Sequence, residues 1–181
     1  MIKRSLLNVD ESRTKEFWLS HILIVIATVA AVYLAASAGL KSAVSFELIK
    51  SDKDSYYMRT ALLSELEENL NNMEQWGKAY RSGKAGDFWR NPEDYQMSFY
   101  VWEAVKEQPM VFEIPSNILT PIRKYYQNST NVLSKMTSRK PAANEVDALL
   151  VQTKEMKEKS LVDLKSNIEV LKKKLVEYEI L

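Results

Sequence analysis

The hydrophobic and polar positions follow two different patterns along the chain. Residues 17–40 are predominantly apolar and contain no Asp, Glu, Lys or Arg, whereas later apolar residues recur every three or four positions. A helix of this length reaches about 36 Å, enough to cross a hydrocarbon core of about 30 Å, and satisfies its own backbone hydrogen bonds in lipid. The run predicts a transmembrane helix at 17–40, between a short cytoplasmic tail at 1–16 and an extramembrane domain at 41–181.

The alternative interpretation of the apolar run is a cleaved signal peptide. Residues 36–38 read Ala-Ser-Ala, which resembles a small-residue cleavage site. Against this interpretation, the run is longer than the usual apolar region of about 7–15 residues, and the segment before it is long and mixed in charge. We therefore expect an uncleaved anchor.

The basic residues flanking the span predict its orientation. Four Lys or Arg residues precede the span, and three lysines follow it closely. Because cytoplasmic flanks carry an excess of basic residues, this bias favours an N-terminus in the cytoplasm and a domain outside, in the periplasm of a Gram-negative cell.

Small residues recur every four positions within the span. Such a ridge lets a second transmembrane helix approach closely, although alanine is also simply common in membrane helices. The residues of this predicted packing ridge are Ala27, Ala31, Ala35 and Gly39.

The remaining chain predicts helices separated by breakers. Its glycines all lie before residue 87, and the Gly-free remainder is rich in Leu, Lys, Glu and Val, which favours helices with few tight turns. The expected fold class is all-α, with one N-terminal transmembrane helix plus a small extramembrane helical bundle that ends in a long C-terminal helix. The predicted helices cover 51–78, 97–108, 116–138 and 144–179, with an extended link at 108–115.

Capping residues suggest where these helices begin. Ser51 to Asp54 has an N-cap pattern, so the first helix is expected to start near Ser51; alternatively, the spanning helix continues unbroken through Lys41. Thr120 followed by Pro121 predicts another N-cap with proline at the first helical position, with residues 116–119 as an added turn.

The last helix carries an apolar stripe with alternating spacings of three and four. The stripe is compatible with packing inside a bundle or with a coiled-coil dimer, and bundle packing is favoured because the pattern lasts only two and a half heptads. Its residues are Leu161, Leu164, Ile168, Leu171, Leu175 and Tyr178.

A carboxamide interrupts the apolar face of the first helix. Asn69 falls between Leu66 and Met73, and a buried amide without partners would cost about 1–3 kcal/mol. We expect Asn69 to bond to Tyr126, Asn131 or a backbone group near Pro115 and to fix the register of the helices. A ligand-binding role is the alternative.

The composition excludes most kinds of catalytic site. The chain lacks cysteine, and its only histidine, His21, lies in the span, so Ser-His-acid, Cys-His and His-based metal sites are excluded outside the membrane. No phosphate-binding loop is present, and no cofactor is expected. Glu65, Glu67 and Glu68 are expected to form a solvated helix face, and a carboxylate enzyme is the least favoured interpretation. A net charge of +1 does not indicate the excess of basic residues that is typical of nucleic-acid-binding proteins.

The longest irregular segment, 77–96, interleaves aromatic and basic residues. Such a loop is expected to contact a partner or a ligand, to cap the helical core, or to touch lipid headgroups; stacking on single-stranded nucleic acid is the least favoured interpretation. Its candidate contact residues are Tyr80, Phe88, Trp89, Arg90 and Tyr95.

Several short motifs follow the span in a defined order. They are Leu62-Leu63-Ser64-Glu65 with Asn69, then Trp102-Glu103-Ala104, then Pro115, Tyr126 and Asn131. This order resembles uncharacterised single-pass bacterial membrane proteins with an "ELxxN" helix, an "aW" helix and a "Y…N" helix. The resemblance covers roughly residues 17–136 and implies a bacterial envelope protein without implying an activity.

Two functions are compatible with these features. The first is a non-enzymatic structural or interaction subunit of a bacterial envelope complex, in contact with membrane lipid and with a protein partner or a second copy through the transmembrane and C-terminal helices. The second is a small-ligand sensor that signals through a partner protein.

Overall fold

The structure is a computed structural model that describes residues 3–83, 97–138 and 143–181. Side chains are described for residues 14–83, 97–135 and 143–181. All regular elements in these residues are helical, which confirms the predicted all-α fold class. The elements are α1 (Lys3–Arg81), α2 (Tyr100–Lys106), a 3₁₀ turn (Pro109–Glu113), α3 (Ser116–Ser138) and α4, which joins Ala143–Glu155, a π turn at Met156–Ser160 and Leu161–Glu177.

The chain divides into two units, Met1–Leu48 and Ile49–Leu181. In the first unit, α1 carries the apolar run, and none of the most apolar window is buried inside the protein. By length and composition, α1 is the one helix of the described residues that could cross a membrane. Large apolar side chains such as Ile24 and Leu34 are more than half exposed there, so this surface is suited to an apolar environment.

Helix α1 runs through the position at which a new helix was predicted. Ser51 lies inside α1, so the predicted N-cap there is wrong, and the alternative of an unbroken helix is what the structure contains. The physical reason is that residues 40–76 contain neither Gly nor Pro, so nothing interrupts the backbone hydrogen-bond ladder before Gly77. Instead of capping a helix, the Ser51 hydroxyl donates to Glu113 Oε1 at 3.2 Å.

The second unit is a helical bundle built around the C-terminal part of α1. The apolar residues of α1, α3 and α4 recur every three or four positions and therefore form one buried stripe on each helix. The stripes meet in a single core that includes Leu62, Leu66, Leu70, Met73 and Trp76 of α1, Ile118, Ile122, Tyr125 and Tyr126 of α3, and Val146, Leu149, Met156, Leu164 and Ile168 of α4.

Gly77 permits a close approach between α1 and α4. This glycine lies inside α1 and is buried, although its sequence position suggested the helix end. A Cβ atom placed on Gly77 would lie 2.3 Å from Cδ2 of Leu150, well inside van der Waals contact. The absence of a side chain therefore makes room for Leu150 at this crossing.

The segment between α2 and α3 differs from the predicted extended link. Residues Pro109–Glu113 form a 3₁₀ turn with proline at its start, where its fixed φ and missing N–H are tolerated. Val111 of this turn is buried in the core, and its packing there stabilises the compact turn. Thr120 is not an N-cap either, because α3 begins at Ser116 and contains Pro121 in its interior.

Helix α4 contains a π turn that the sequence pattern did not predict. From Met156 to Ile168, the buried positions Met156, Ser160, Leu164 and Ile168 follow one another every four residues. Three such steps drift away from a 3.6-residue period, and the wider π turn at Met156–Ser160 offsets part of that drift. The stripe stays buried inside the bundle as far as Leu175, while Tyr178 lies beyond the helix and is exposed.

Candidate functional site

A buried carboxylate from α1 caps the start of α2. Glu65 is only 4% exposed. It accepts hydrogen bonds from the backbone N–H groups of Val101 at 2.6 Å and Trp102 at 3.0 Å. These N–H groups lie in the first turn of α2 and have no partner within the helix, and the positive end of the helix dipole favours an anion there. Glu65 therefore supplies, from a neighbouring helix, the cap that α2 lacks in its own sequence.

Asn69 fixes the chain immediately before α2. It is fully buried, and its amide forms a two-point contact with the backbone of Ser98. The Ser98 N–H donates to Asn69 Oδ1 at 2.8 Å, and Asn69 Nδ2 donates to the Ser98 carbonyl at 2.6 Å. Because Asn69 follows Glu65 by four residues, both side chains lie on one face of α1 and act on the same short segment.

Tyr126 connects α3 to the same group of side chains. Its hydroxyl donates to Glu65 Oε1 at 2.9 Å and accepts a weaker bond from Asn69 Nδ2 at 3.4 Å. Its ring stacks on Trp102 with centroids 4.9 Å apart and planes inclined by 5°. Burial, reinforced by the nearby Glu65, raises the pKa of the Tyr126 phenol, which stays neutral and able to donate. We call Glu65, Asn69, Ser98, Trp102 and Tyr126 the α2 network.

The α2 network differs in three respects from what the sequence predicted for Asn69 and Glu65. Tyr126 is one of its partners, but Asn131 is exposed, so its assignment as a buried polar residue is wrong. The stronger partner is the backbone of Ser98 rather than a group near Pro115. Glu65 was expected on a solvated face, and that expectation is wrong because the unsatisfied N–H groups of α2 provide a buried acceptor site. Its spacing of four residues from Asn69 indicated a common helix face, but nothing in the sequence indicated the cap.

A second polar cluster joins α1, the 3₁₀ turn and α4. Arg59 is 4% exposed; its Nη1 donates to Asn167 Oδ1 at 2.6 Å, and its Nη2 lies 3.8 Å from Glu113 Oε2. Ser55 also donates to Glu113 Oε2, at 2.6 Å. Desolvation lowers the pKa of Arg59, and the charge of Glu113 opposes that effect. These contacts hold the turn and α4 against α1.

A cleft of about 530 Å³ lies beside the α2 network. Trp102, Tyr126 and Leu119 contribute apolar surface, and Phe112, at 82% exposed, lies at its edge. Glu65 and Asn69 do not line this cleft, so they hold its aromatic residues in place without providing reactive groups to it.

A smaller cavity of about 400 Å³ lies between α3 and α4. Thr120 and Lys124 line it from α3, and the π turn and the residues after it contribute Lys159, Ser160 and Asp163. Its lining is more polar than the packed core. We call it the α3–α4 cavity. No sequence pattern indicated it, because its residues converge only when the π turn lies beside α3.

The remaining predicted site residues fall into three groups. Tyr80 is half-buried, and its ring centroid lies 5.7 Å from that of Trp76, so it extends the core. Phe88, Trp89, Arg90 and Tyr95 lie outside the described residues. The residues of the packing ridge are exposed on the first unit, and a Cβ placed on Gly39 would meet nothing within 4 Å; the ridge comprises Ala27, Ala31, Ala35 and Gly39.

Comparison with known proteins found no matching family model, curated protein or solved structure. Within the described residues, no group of three or more His, Cys, Asp or Glu side chains is placed to hold a metal ion. The assignment of a function therefore depends on the geometry of the two units.

Proposed function

We propose that this chain is a membrane-anchored structural or interaction subunit of a bacterial envelope complex and is not an enzyme. It would cross the inner membrane once, with its N-terminus in the cytoplasm and residues 41–181 in the periplasm or outside. The observation that carries the proposal is the apolar surface of α1 in the first unit, whose most apolar window has no buried residue. Lipid, and a partner helix within it, would cover that surface.

The α2 network supports a structural role for the buried polar residues. Glu65 and Asn69 are both satisfied by neighbouring backbone and by Tyr126, so their placement is explained without a substrate. The same residues, with Trp102, carry most of the resemblance to single-pass bacterial membrane proteins. In this chain, the α2 network gives that motif order a physical reason.

The partner contacts would come from two exposed surfaces. On the first unit, the ridge of small residues leaves space for a second helix at close distance. On α4, the apolar stripe is already buried, so a contact would use the outer side, where Val162 and Val170 are more than half exposed.

Substitution of the ridge tests the subunit proposal. Ala31→Leu combined with Ala35→Leu fills the ridge, whereas Ala30→Leu combined with Ala36→Leu adds the same bulk about 120° away, on either side of the ridge. We expect the first pair, and not the second, to abolish co-purification of partners or self-association in mild detergent. Equal behaviour of the two pairs would remove the support for a helix partner in the membrane.

A reporter fusion tests the orientation separately. Alkaline phosphatase fused after Leu181 is expected to be active, because the enzyme requires an oxidising compartment to form its disulfides. A fluorescent cytoplasmic reporter at the same site is expected to be silent, and the reverse result would invert the topology.

A second candidate function, small-ligand sensing through a partner protein, is favoured by the α3–α4 cavity. Its volume of about 400 Å³ lies within the range of small-molecule sites. A specific ligand would raise the melting temperature of the purified chain, whereas assembly alone would make the melting temperature depend on protein concentration.

A further inference from the structure

The α3–α4 cavity is lined by hydroxyl groups that the protein leaves without partners. Ser160 is 5% exposed, and neither Ser160 nor Thr120 forms a hydrogen bond within the described part of the chain. Thr153 on the same helix, by contrast, donates to the Leu149 carbonyl at 2.8 Å, one turn earlier. The Ser160 hydroxyl oxygen is open to the cavity, whereas the unpartnered hydroxyl of Ser129 is sealed in the core, so Ser160 is available to bond to a ligand there.

The backbone of α3 adds a further acceptor at the same place. Pro121 lines the cavity and has no N–H, so the carbonyl of Asn117 lacks the donor that the next helical turn normally supplies. Asn117 also lines the cavity, and its side-chain amide has no partner among the described residues. Irregular points of two helices, Pro121 and the π turn, thus border one space.

The charged residues around this cavity are balanced in sign and form no ion pairs with other described residues. Lys124 and Lys159 supply two positive charges, and Glu155 and Asp163 supply two negative ones. None of these four has a side-chain hydrogen bond in the part of the chain that the structure describes. Elsewhere on the bundle such residues do pair. Lys157 and Lys165 contact Glu74 and Glu67 at 2.5 and 2.6 Å.

We propose that the α3–α4 cavity binds a small zwitterion that carries an ammonium group and an anionic oxygen group. The ammonium would pair with Asp163 and the anionic group with Lys159, and Glu155 and Lys124 would add charge of the matching sign. The Ser160 and Thr120 hydroxyls would orient the ligand, and buried Met156 would contact its carbon atoms. A ligand of one sign would leave two like charges of the site uncompensated, whereas a zwitterion matches both pairs.

Two sources supply this chemistry: a free α-amino acid and the phosphoethanolamine headgroup of a lipid. Both carry a primary ammonium a few bonds from an anionic oxygen group, and both fit a volume of about 400 Å³. The proposal is independent of the subunit function, since an anchored subunit can exist with or without a ligand in its bundle.

Calorimetric titration of the full chain in detergent micelles tests the proposal. The probes are the common amino acids, O-phosphoethanolamine, and vesicles with and without phosphatidylethanolamine. Acetate, inorganic phosphate and ethylamine serve as single-charge controls. We expect one zwitterion class to bind and the single-charge controls not to bind. Saturation by amino acids identifies the free ligand, whereas saturation by O-phosphoethanolamine and the matching vesicles identifies the headgroup.

Variants connect the binding to the cavity. Asp163→Asn, Lys159→Gln and Ser160→Ala are each expected to weaken binding about tenfold or more, because the first two remove a charge that pairs with the ligand and the third removes a hydrogen bond to it. Glu169→Gln and Lys172→Gln, exposed on the same helix, are matched controls that should bind as the unsubstituted chain does. Circular dichroism establishes that each variant is folded.

Two results would overturn the proposal. One is the absence of binding heat for every zwitterion at millimolar concentration with the folded chain. The other is binding that persists unchanged in folded Asp163→Asn, Lys159→Gln and Ser160→Ala. Loss of ligand binding together with intact co-purification of partners would separate this site from the subunit function.

Discussion

The α2 network and the α3–α4 cavity are two groups of polar side chains in one helical bundle, and they differ in how their hydrogen bonds are satisfied. In the network, Glu65 accepts hydrogen bonds from two backbone N–H groups and from the Tyr126 hydroxyl. Asn69 forms hydrogen bonds with both the N–H and the carbonyl of Ser98. In the cavity, Ser160 is as buried as Glu65 but has no partner within the described chain.

This difference separates a structural polar group from a candidate binding group. A buried polar side chain that is satisfied internally stabilises the fold, and its removal leaves its former partners unsatisfied. A polar side chain without an internal partner contributes little to folding, so its removal should affect only what binds to it. Stability measurements on both regions therefore test the distinction.

The largest effect is expected from Glu65→Ala. The change leaves two backbone N–H groups of α2 and the hydroxyl of Tyr126 without their acceptor, at an expected loss of about 3–5 kcal/mol in the free energy of unfolding. Urea unfolding of the full chain in micelles, followed by circular dichroism, measures this loss. Glu68→Ala is the matched control, because Glu68 is exposed on the same helix and should change stability by less than about 0.5 kcal/mol.

A pH titration addresses the buried phenols of α3. Burial raises the pKa of Tyr125 to about 12, while its hydrogen bond to Thr153 opposes this rise. The folded pKa exceeds the unfolded value of about 10, so the stability contributed by this phenol is fully present below about pH 10 and is lost as pH rises through about 12. The difference between these two pKa values corresponds to about 3 kcal/mol in the free energy of unfolding.

The check is the slope of unfolding free energy between about pH 10 and about pH 12. Tyr125→Phe should flatten this slope, whereas Tyr57→Phe, at an exposed position, should leave it unchanged. An equal slope in the unsubstituted chain and in Tyr125→Phe would mean that this phenol ionises as freely in the folded state as in the unfolded one.

A smaller effect is expected from Asn69→Leu. The leucine removes both bonds to the Ser98 backbone, but Ser98 is only half-buried, so water can replace part of what is lost. We expect a loss of about 2 kcal/mol and faster hydrogen exchange of the α2 amides. Gln75→Leu, at an exposed position on α1, is the control, and unchanged protection of α2 would contradict the assigned role.

The smallest effect is expected from Ser160→Ala. Because its hydroxyl bonds to nothing within the described chain, the unfolding free energy should change by less than about 0.5 kcal/mol without ligand. A loss of about 2 kcal/mol or more in the same urea titration would show that Ser160 belongs with the structural polar residues and would erase the contrast with Glu65.

Much of the architecture follows from periodicity that is visible in the sequence. The apolar run at 17–40 and the stripes of α1, α3 and α4 predicted helices and their buried faces, because burial depends on spacings of three and four residues. The start of α3 at residue 116 also agrees with the expected bounds. Glycine and proline predicted the helix ends less reliably, because Gly77 lies inside α1 and Pro121 lies inside α3.

Polar contacts were predictable only in part. Asn69 was identifiable because it interrupts an apolar stripe, and Tyr126 was among its expected partners. Asn131 was wrongly predicted to be buried, because a shift of one position along a helix turns a side chain from the buried face to the exposed one. The role of Glu65 depends on the N–H groups of Val101 and Trp102, which become available only once α2 is packed against α1.

By itself, the sequence determined the helical class of this protein, its apolar N-terminal helix and the faces that its helices bury, because these depend on composition and on local periodicity. Only the tertiary structure decided that Glu65 caps α2 and that Ser160 lies beside α3 without a partner among the described residues. Both outcomes depend on which backbone and side-chain groups of distant segments are brought within about 3 Å, a distance that no local pattern in the sequence specifies.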